Sequence, residues 1–150
     1  MKKSLLFTPV LFFVLLLGSC KKDNTATPGN NTNTITFTSV ISAGTWDVTS
    51  FTEKTENKTS DFSGMDFTFA SDGTATVSGA KTASGTWSYS ASSTDYYGAT
   101  SPATFTISIV SGSTFSALSR KWNISANTAA SLRLDHPQAS EDEHVTFTKK

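Results

Sequence analysis

The chain has 150 residues, 37% of them hydrophobic, with twelve basic and twelve acidic side chains and so no formal net charge. That length and apolar content allow one domain with a modest core, and without a basic excess the composition argues against nucleic acid as a partner. A single cysteine excludes an intramolecular disulfide framework, so stability has to come from packing.

Taken in chain order, the first feature is Lys2 and Lys3 followed by an apolar run from Leu5 to Leu17, broken only by Thr8 and Pro9. About thirteen residues fall short of the roughly 20 that a membrane-spanning helix needs, which is the layout of a secretory signal over residues 1–19. The run ends in Leu17-Gly18-Ser19-Cys20, which resembles the lipobox of bacterial lipoproteins: an aliphatic residue, two small residues, then the cysteine. The resemblance implies that Cys20 is both the cleavage point and the lipidation site. Two or three acyl chains such as palmitate, at about 0.8 kcal/mol per buried CH₂, would anchor it stably. Lys21 stands where inner-membrane members of that family often carry Asp, so the resemblance also implies an outer-membrane address in the cell envelope.

Without Lys2 and Lys3 the chain has ten basic against twelve acidic side chains, a net charge of −2. Residues 21–34 contain no large apolar side chain and cannot offset the entropy of ordering. Residues 20–34 therefore read as the lipidated cysteine and a tether whose fourteen coil residues reach roughly 20 Å. Residues 35–150 read as the folded domain.

Serine and threonine supply 48 of the 150 residues, and in the domain they alternate with apolar side chains. Period two means strand. The alternation predicts strands at 44–52 (Trp46, Val48), 65–70 (Met65, Phe67, Phe69), 74–79 (Ala75, Val77) and 85–90 (Trp87, Tyr89). Four more follow at 103–110 (Phe105, Ile107, Ile109), 121–126 (Trp122, Ile124), 131–135 (Leu132, Leu134) and 144–149 (Val145, Phe147). Beyond a turn at 38–43, no helical period is evident. Ser71-Asp72-Gly73 carries tight-hairpin chemistry, and Asn127-Thr128-Ala129 marks a second short link. Eight strands with short links and one wet face predict an all-β, antiparallel up-and-down barrel, which leaves no exposed edges; a Greek-key β-sandwich is the alternative.

Gly44-Thr45-Trp46, preceded by Val40-Ile41, resembles the Gly-x-Trp opening of the first lipocalin strand. The run Asp61-Phe62-Ser63-Gly64-Met65-Asp66-Phe67-Thr68-Phe69, then Ser71-Asp72-Gly73-Thr74 and Gly85-Thr86-Trp87, is similar to small lipocalin-like domains of Gram-negative lipoproteins. The resemblance covers roughly 40–150 and implies an eight-stranded meander, usually without enzymatic activity. The basic residue that lipocalins place over the first-strand Trp has only Lys149 and Lys150 as counterparts here.

In a meander, odd connections share one end. Those at 53–64, 111–120 and 136–143 are long, while the even ones joining strands two to three and six to seven are tight, with 91–102 the exception, which predicts a mouth at the odd end and Trp46 at the closed base. The tether then leads into the base, and the mouth points away from the lipid. Trp87, Trp122 and Met65 are expected near the rim, and Phe62, Phe115 and Leu118 in the mouth loops, where they would form a lid. An eight-stranded barrel is wide enough to hold one small ligand or to be filled by its own side chains, so these six residues are candidates either for an apolar ligand site or for core.

For catalysis, the concentrated ionisable group is His136 with Glu141, Asp142, Glu143 and His144, whose spacing matches no metal motif and reads as a solvated acidic loop. No Gly-x-Ser-x-Gly occurs. The expectation is a non-enzyme without cofactor or metal, whose partners are a membrane, through the N-terminal lipid, and a small hydrophobic ligand. The alternative is a loop-mediated contact with a protein or glycan. Asp95-Tyr96-Tyr97-Gly98 suits sugar or protein contact if exposed, or base packing if not.

Overall fold

A computed structural model describes residues 36–110 and 112–150; the signal segment, Cys20 and the tether lie outside the described residues. Eight strands form the barrel: β1 (Thr45–Glu53), β2 (Met65–Phe69), β3 (Thr74–Gly79), β4 (Ala83–Ser90), β5 (Thr104–Ile109), β6 (Lys121–Asn127), β7 (Ser131–Asp135) and β8 (Glu143–Lys149). Each pairs antiparallel with the next, and β8 returns to β1 from Trp46↔Lys149 through Glu53↔Glu143, which closes the sheet and sets aside the sandwich. The eight strands match the period-two reading to within one or two residues at each end.

Two positions decide whether that alternation works. On β1, Trp46 and Val48 point inward, but strict alternation would turn Phe51 out. A register shift between Val48 and Ser50 makes Thr49 the extra residue of a bulge and brings Phe51 back inside, where it is buried. On β4, Gly85 lies opposite Ile109, and a Cβ there would meet the Ser108 carbonyl oxygen at 1.9 Å. Only glycine lets these two strands approach so closely.

Helical structure is present after all, in pieces too short to show a period: α1 (Phe37–Ile41), α2 (Gly112–Ser116) and 3₁₀ turns at Thr59–Phe62 and Ala139–Glu141. Thr36 caps α1 by accepting the Ser39 N–H at 3.3 Å. Two minor ladders complete the fold: Glu56–Asn57 pairs back onto the end of β1, and Ser93–Thr94 pairs with Thr100–Ser101.

The barrel therefore has two distinct ends. At the loop end lie the connections 54–64, 80–82, 110–120 and 136–142. At the helix end lie α1, the turns 70–73 and 128–130, and the longer connection 91–103. Between them the inward side chains make one apolar core that includes Trp46, Phe67, Phe69, Phe105, Trp122 and Phe147.

Candidate functional site

The loop end gathers five of the six expected residues. Met65 opens β2, Phe62 comes from the 3₁₀ turn, Phe115 from α2 and Leu118 from the bend after it, and all four are buried. Trp122, at the start of β6, is 0% exposed; its indole N–H donates to the Leu118 carbonyl at 3.0 Å, and its ring meets Phe51 edge-on with centroids 6.4 Å apart. Above it sit the Arg120 guanidinium, 5.5 Å from the ring centroid, and His136, edge-on at 6.2 Å. Arg120 is in turn paired with Glu143. The loop that bears this stopper is stitched to β5: Ile109 N–H donates to Ser119 Oγ at 3.0 Å, and that hydroxyl donates to the Ile109 carbonyl at 3.1 Å.

Trp87 is not part of this group. β4 begins at Ala83, two residues before the expected start, so Trp87 lies beyond the strand's midpoint towards the helix end. Its indole N–H donates to the Ala70 carbonyl at 2.7 Å, in the 70–73 turn, and its ring packs on Phe69 and Phe105. At 8% exposure it is a helix-end core residue, which corrects the expected rim position. The expected base position of Trp46 holds: its N–H donates to the Ile41 carbonyl at 2.9 Å. Lys149, not Lys150, covers it, with the ammonium 4.9 Å from the ring centroid and donating to the Val40 carbonyl at 3.1 Å.

A closed eight-stranded barrel is a fold compatible with ligand binding; what occupies this lumen is a column of rings. Phe37 meets Phe105, Phe105 meets Phe69, and Phe69 meets Phe147 at centroid distances of 5.8, 5.2 and 5.8 Å. The column continues through Phe67, Phe62 and Phe51 to Trp122, with successive spacings of 5.5, 6.4, 5.3 and 6.4 Å. It runs from one end of the barrel to the other.

Outside the barrel, at the loop end, a cleft of about 340 Å³ is lined by Asn123, Asp135, His136, Gln138, Asp142 and His144. A neighbouring one of about 290 Å³ lies among Glu53, Lys54, Glu56, Glu141 and Glu143. His144 bridges two carboxylates, with Nδ1 2.7 Å from Asp135 and Nε2 3.1 Å from Asp142. The Asp135 hydrogen bond raises the imidazole above its ordinary pKa of 6.5, with partial burial opposing and Asp142 adding to the rise. Burial alone would push Asp135 up, but hydrogen bonds from His144 and Ser125 and the charges of His144 and Arg133 hold it below the usual carboxylate value. Among the described residues no group of three or more His, Cys, Asp or Glu side chains is arranged to hold a metal ion.

The 95–98 segment suits contact if exposed and base packing if not, and exposure decides for contact. Tyr96 and Tyr97 are 97% and 92% exposed and do not pack on the barrel.

No family model matches the chain, and no curated protein matches it significantly. Among solved structures it is similar to a DUF4847 family protein from Bacteroides vulgatus ATCC 8482, with 17% identity over 73% of this chain and 94% of that one, at a TM-score of 0.48.

Proposed function

We propose that this chain is a lipid-anchored, non-enzymatic, lipocalin-like binding module of the bacterial cell envelope that meets a protein or glycan partner through its long loops. The observation that carries this reading is the ring column: a lumen occupied from Phe37 to Trp122 leaves recognition to the outer surface, where the long loops frame two polar clefts. The lipid anchor follows from Leu17-Gly18-Ser19-Cys20, and the outer membrane is the address favoured by Lys21. The lipocalin likeness draws support from Trp46, α1 and Lys149 meeting at the helix end.

One observation favours a second reading. Phe62, Phe115 and Leu118 sit on connections, not on barrel strands, so the stopper is displaceable without unpairing the sheet. A small apolar ligand would then enter by lifting that stopper.

Native mass spectrometry of the purified protein, with titration of a hydrophobic fluorescent probe, separates the two. The loop-contact reading expects the mass of the chain and its covalent N-terminal lipid alone, and no saturable probe binding. A retained small molecule, or saturable binding that changes tryptophan emission, would replace it with the gated lumen. For the anchor, Cys20→Ser is expected to abolish fatty-acid labelling and membrane association; unchanged labelling would refute it.

A further inference from the structure

The connection 91–103 continues the β4–β5 hairpin beyond the barrel. The last barrel pair is Ser90↔Thr104; farther out Ser93↔Ser101 and Thr94↔Thr100 pair again. Five residues from Ser90 to Asp95, at roughly 3.3 Å each, carry the tip about 16 Å outward. The turn is held by its own hydrogen bonds. Gly98 N–H donates to the Asp95 carbonyl at 3.1 Å, and one Asp95 carboxylate oxygen accepts from Tyr97 N–H at 2.9 Å and Ala99 N–H at 2.8 Å. Gly98 takes a φ of +84°, which glycine adopts without strain.

Every residue from 91 to 102 is exposed, so the arm adds nothing to the core. An ordered projection that buries nothing is available for contact. Its side chains, besides the two tyrosines, are Ala, Ser, Thr, Pro and the single charged residue Asp95. With no cation it has nothing to offer an anionic polymer. Two rings on a thin hairpin also fall well short of the roughly 800 Å² per partner of a stable protein interface. Tyrosine itself, an apolar ring with a polar tip, partitions to the boundary between membrane and water.

Position selects among what is left. The chain joins the barrel at the same end: Phe37 of α1 stacks on Tyr89 at 4.5 Å, and the residue after Tyr89 is the arm's root. Fourteen residues separate Cys20 from Ile35, and the tether of roughly 20 Å read from that stretch of sequence is comparable with the arm. We infer that Tyr96 and Tyr97 form an interfacial foot that docks in the headgroup region of the bilayer to which Cys20 is tied, holding the helix end down and the loop end outward. The inference rests on the lipid-anchor reading. Two tyrosines bind a membrane weakly on their own, but the anchor makes their docking effectively intramolecular.

The test uses the full mature chain, lipidated at Cys20 and reconstituted into vesicles of phosphatidylethanolamine and phosphatidylglycerol, with part of the lipid brominated on its acyl chains. In Tyr97→Trp the new indole is exposed while Trp46, Trp87 and Trp122 are buried in the barrel. Its emission should be quenched at least about twofold more than that of the unsubstituted chain. In the unsubstituted chain, chymotrypsin cleavage after Tyr96 and Tyr97 should be about tenfold slower in the anchored form than in Cys20→Ser mixed with the same vesicles. Fatty-acid labelling at Cys20 is measured in parallel. Missing label overturns the anchor and the foot together; label present with neither quenching nor protection overturns the foot alone. Protection that depends on added peptidoglycan or envelope protein, not on lipid, also overturns it.

Discussion

The two ends of the barrel are both stopped by aromatic side chains, but they are stopped by different kinds of structure. At the helix end the stopper is built from neighbours: Trp46 follows Ile41 by five residues and bonds its carbonyl, and Lys149, paired across from Trp46 on β8, ties down Val40. At the loop end it is assembled from three separate connections that contribute Phe62, from the 3₁₀ turn, and Phe115 and Leu118, from and after α2, over a strand residue, Trp122, with His136 from the third. A closure made of strand-borne and adjacent residues forms with the sheet. One carried on loops can be displaced without unpairing the sheet, so its opening is separable from unfolding of the barrel. The contrast bears on the gated-lumen reading, in which a ligand would enter at the loop end.

The largest effects expected from this contrast come from the two fully buried indoles. Trp46→Ala and Trp122→Ala should each lose about 3–5 kcal/mol of stability, the cost of deleting a buried aromatic, measured as denaturant midpoint and slope. They should differ in a second readout. Trp122→Ala removes the indole whose N–H holds the Leu118 carbonyl of a loop-borne stopper, and it should bind a hydrophobic probe below its unfolding midpoint. Trp46→Ala should unfold without that step. Equal probe binding by both variants would erase the distinction between the ends.

How much of this was legible in the sequence follows from the same physics. Alternation revealed all eight strands because each buries one face, and hairpin chemistry at Ser71-Asp72-Gly73 helped fix their order. Phe51 is not legible as an inward residue because a bulge at Thr49 breaks the period, and no residue type announces a bulge there. The end at which Trp87 lies is not legible because two residues of uncertainty in a strand start, together with barrel stagger, shift a side chain to another layer. α2 and the 3₁₀ turns run three to five residues, less than two turns, and show no period. The five loop-end residues are legible from strand polarity and connection length together; that they form a stopper depends on packing, which has no pattern in the sequence. The arm's outer ladder is all Ser and Thr, so no alternation marked it.

Smaller effects sharpen the comparison through the two cations over the two indoles. Lys149 touches a ring and a carbonyl, whereas Arg120 also has a carboxylate partner, Glu143. Lys149→Met and Arg120→Met should each cost about 1 kcal/mol. High salt should distinguish them by charge type: Arg120 faces a full opposite charge, which ionic strength weakens in part for a pair 30% and 12% exposed, so its loss costs slightly less at ~1 M salt, whereas Lys149 meets only a ring and a carbonyl. The half-buried Lys149 contact should change little. Equal salt sensitivity would mean that the helix-end closure is no more integral than the other.

The smallest effect is a pH dependence confined to the loop end. His144 is raised above 6.5 by its hydrogen bond to Asp135, so what it contributes to stability is fully present below 6.5 and is lost as pH rises through the folded-state value. Asp135 is held below 3.8, with burial opposed by the bonds and charges of His144 and its neighbours, so its contribution is present above 3.8 and is lost as pH falls through its own lowered value. The pair is therefore fully formed between these limits. Arg133, 3.5 Å from Asp135, favours the carboxylate and opposes protonation of His144, while Asp142, 3.1 Å from the imidazole, supports it. About a third of each partner's side chain, Asp135 and His144, is exposed, so solvent screening limits the gain to about 0.5 kcal/mol. His144→Gln should lower the denaturant midpoint slightly at pH 5 and leave it unchanged at pH 9, and in Trp122→Ala the same step should appear in probe binding, which rises as the pH is raised. A His144→Gln variant that is destabilised equally at both pH values would show that the imidazole acts by packing and not by charge, and would remove pH from the features that distinguish the two ends.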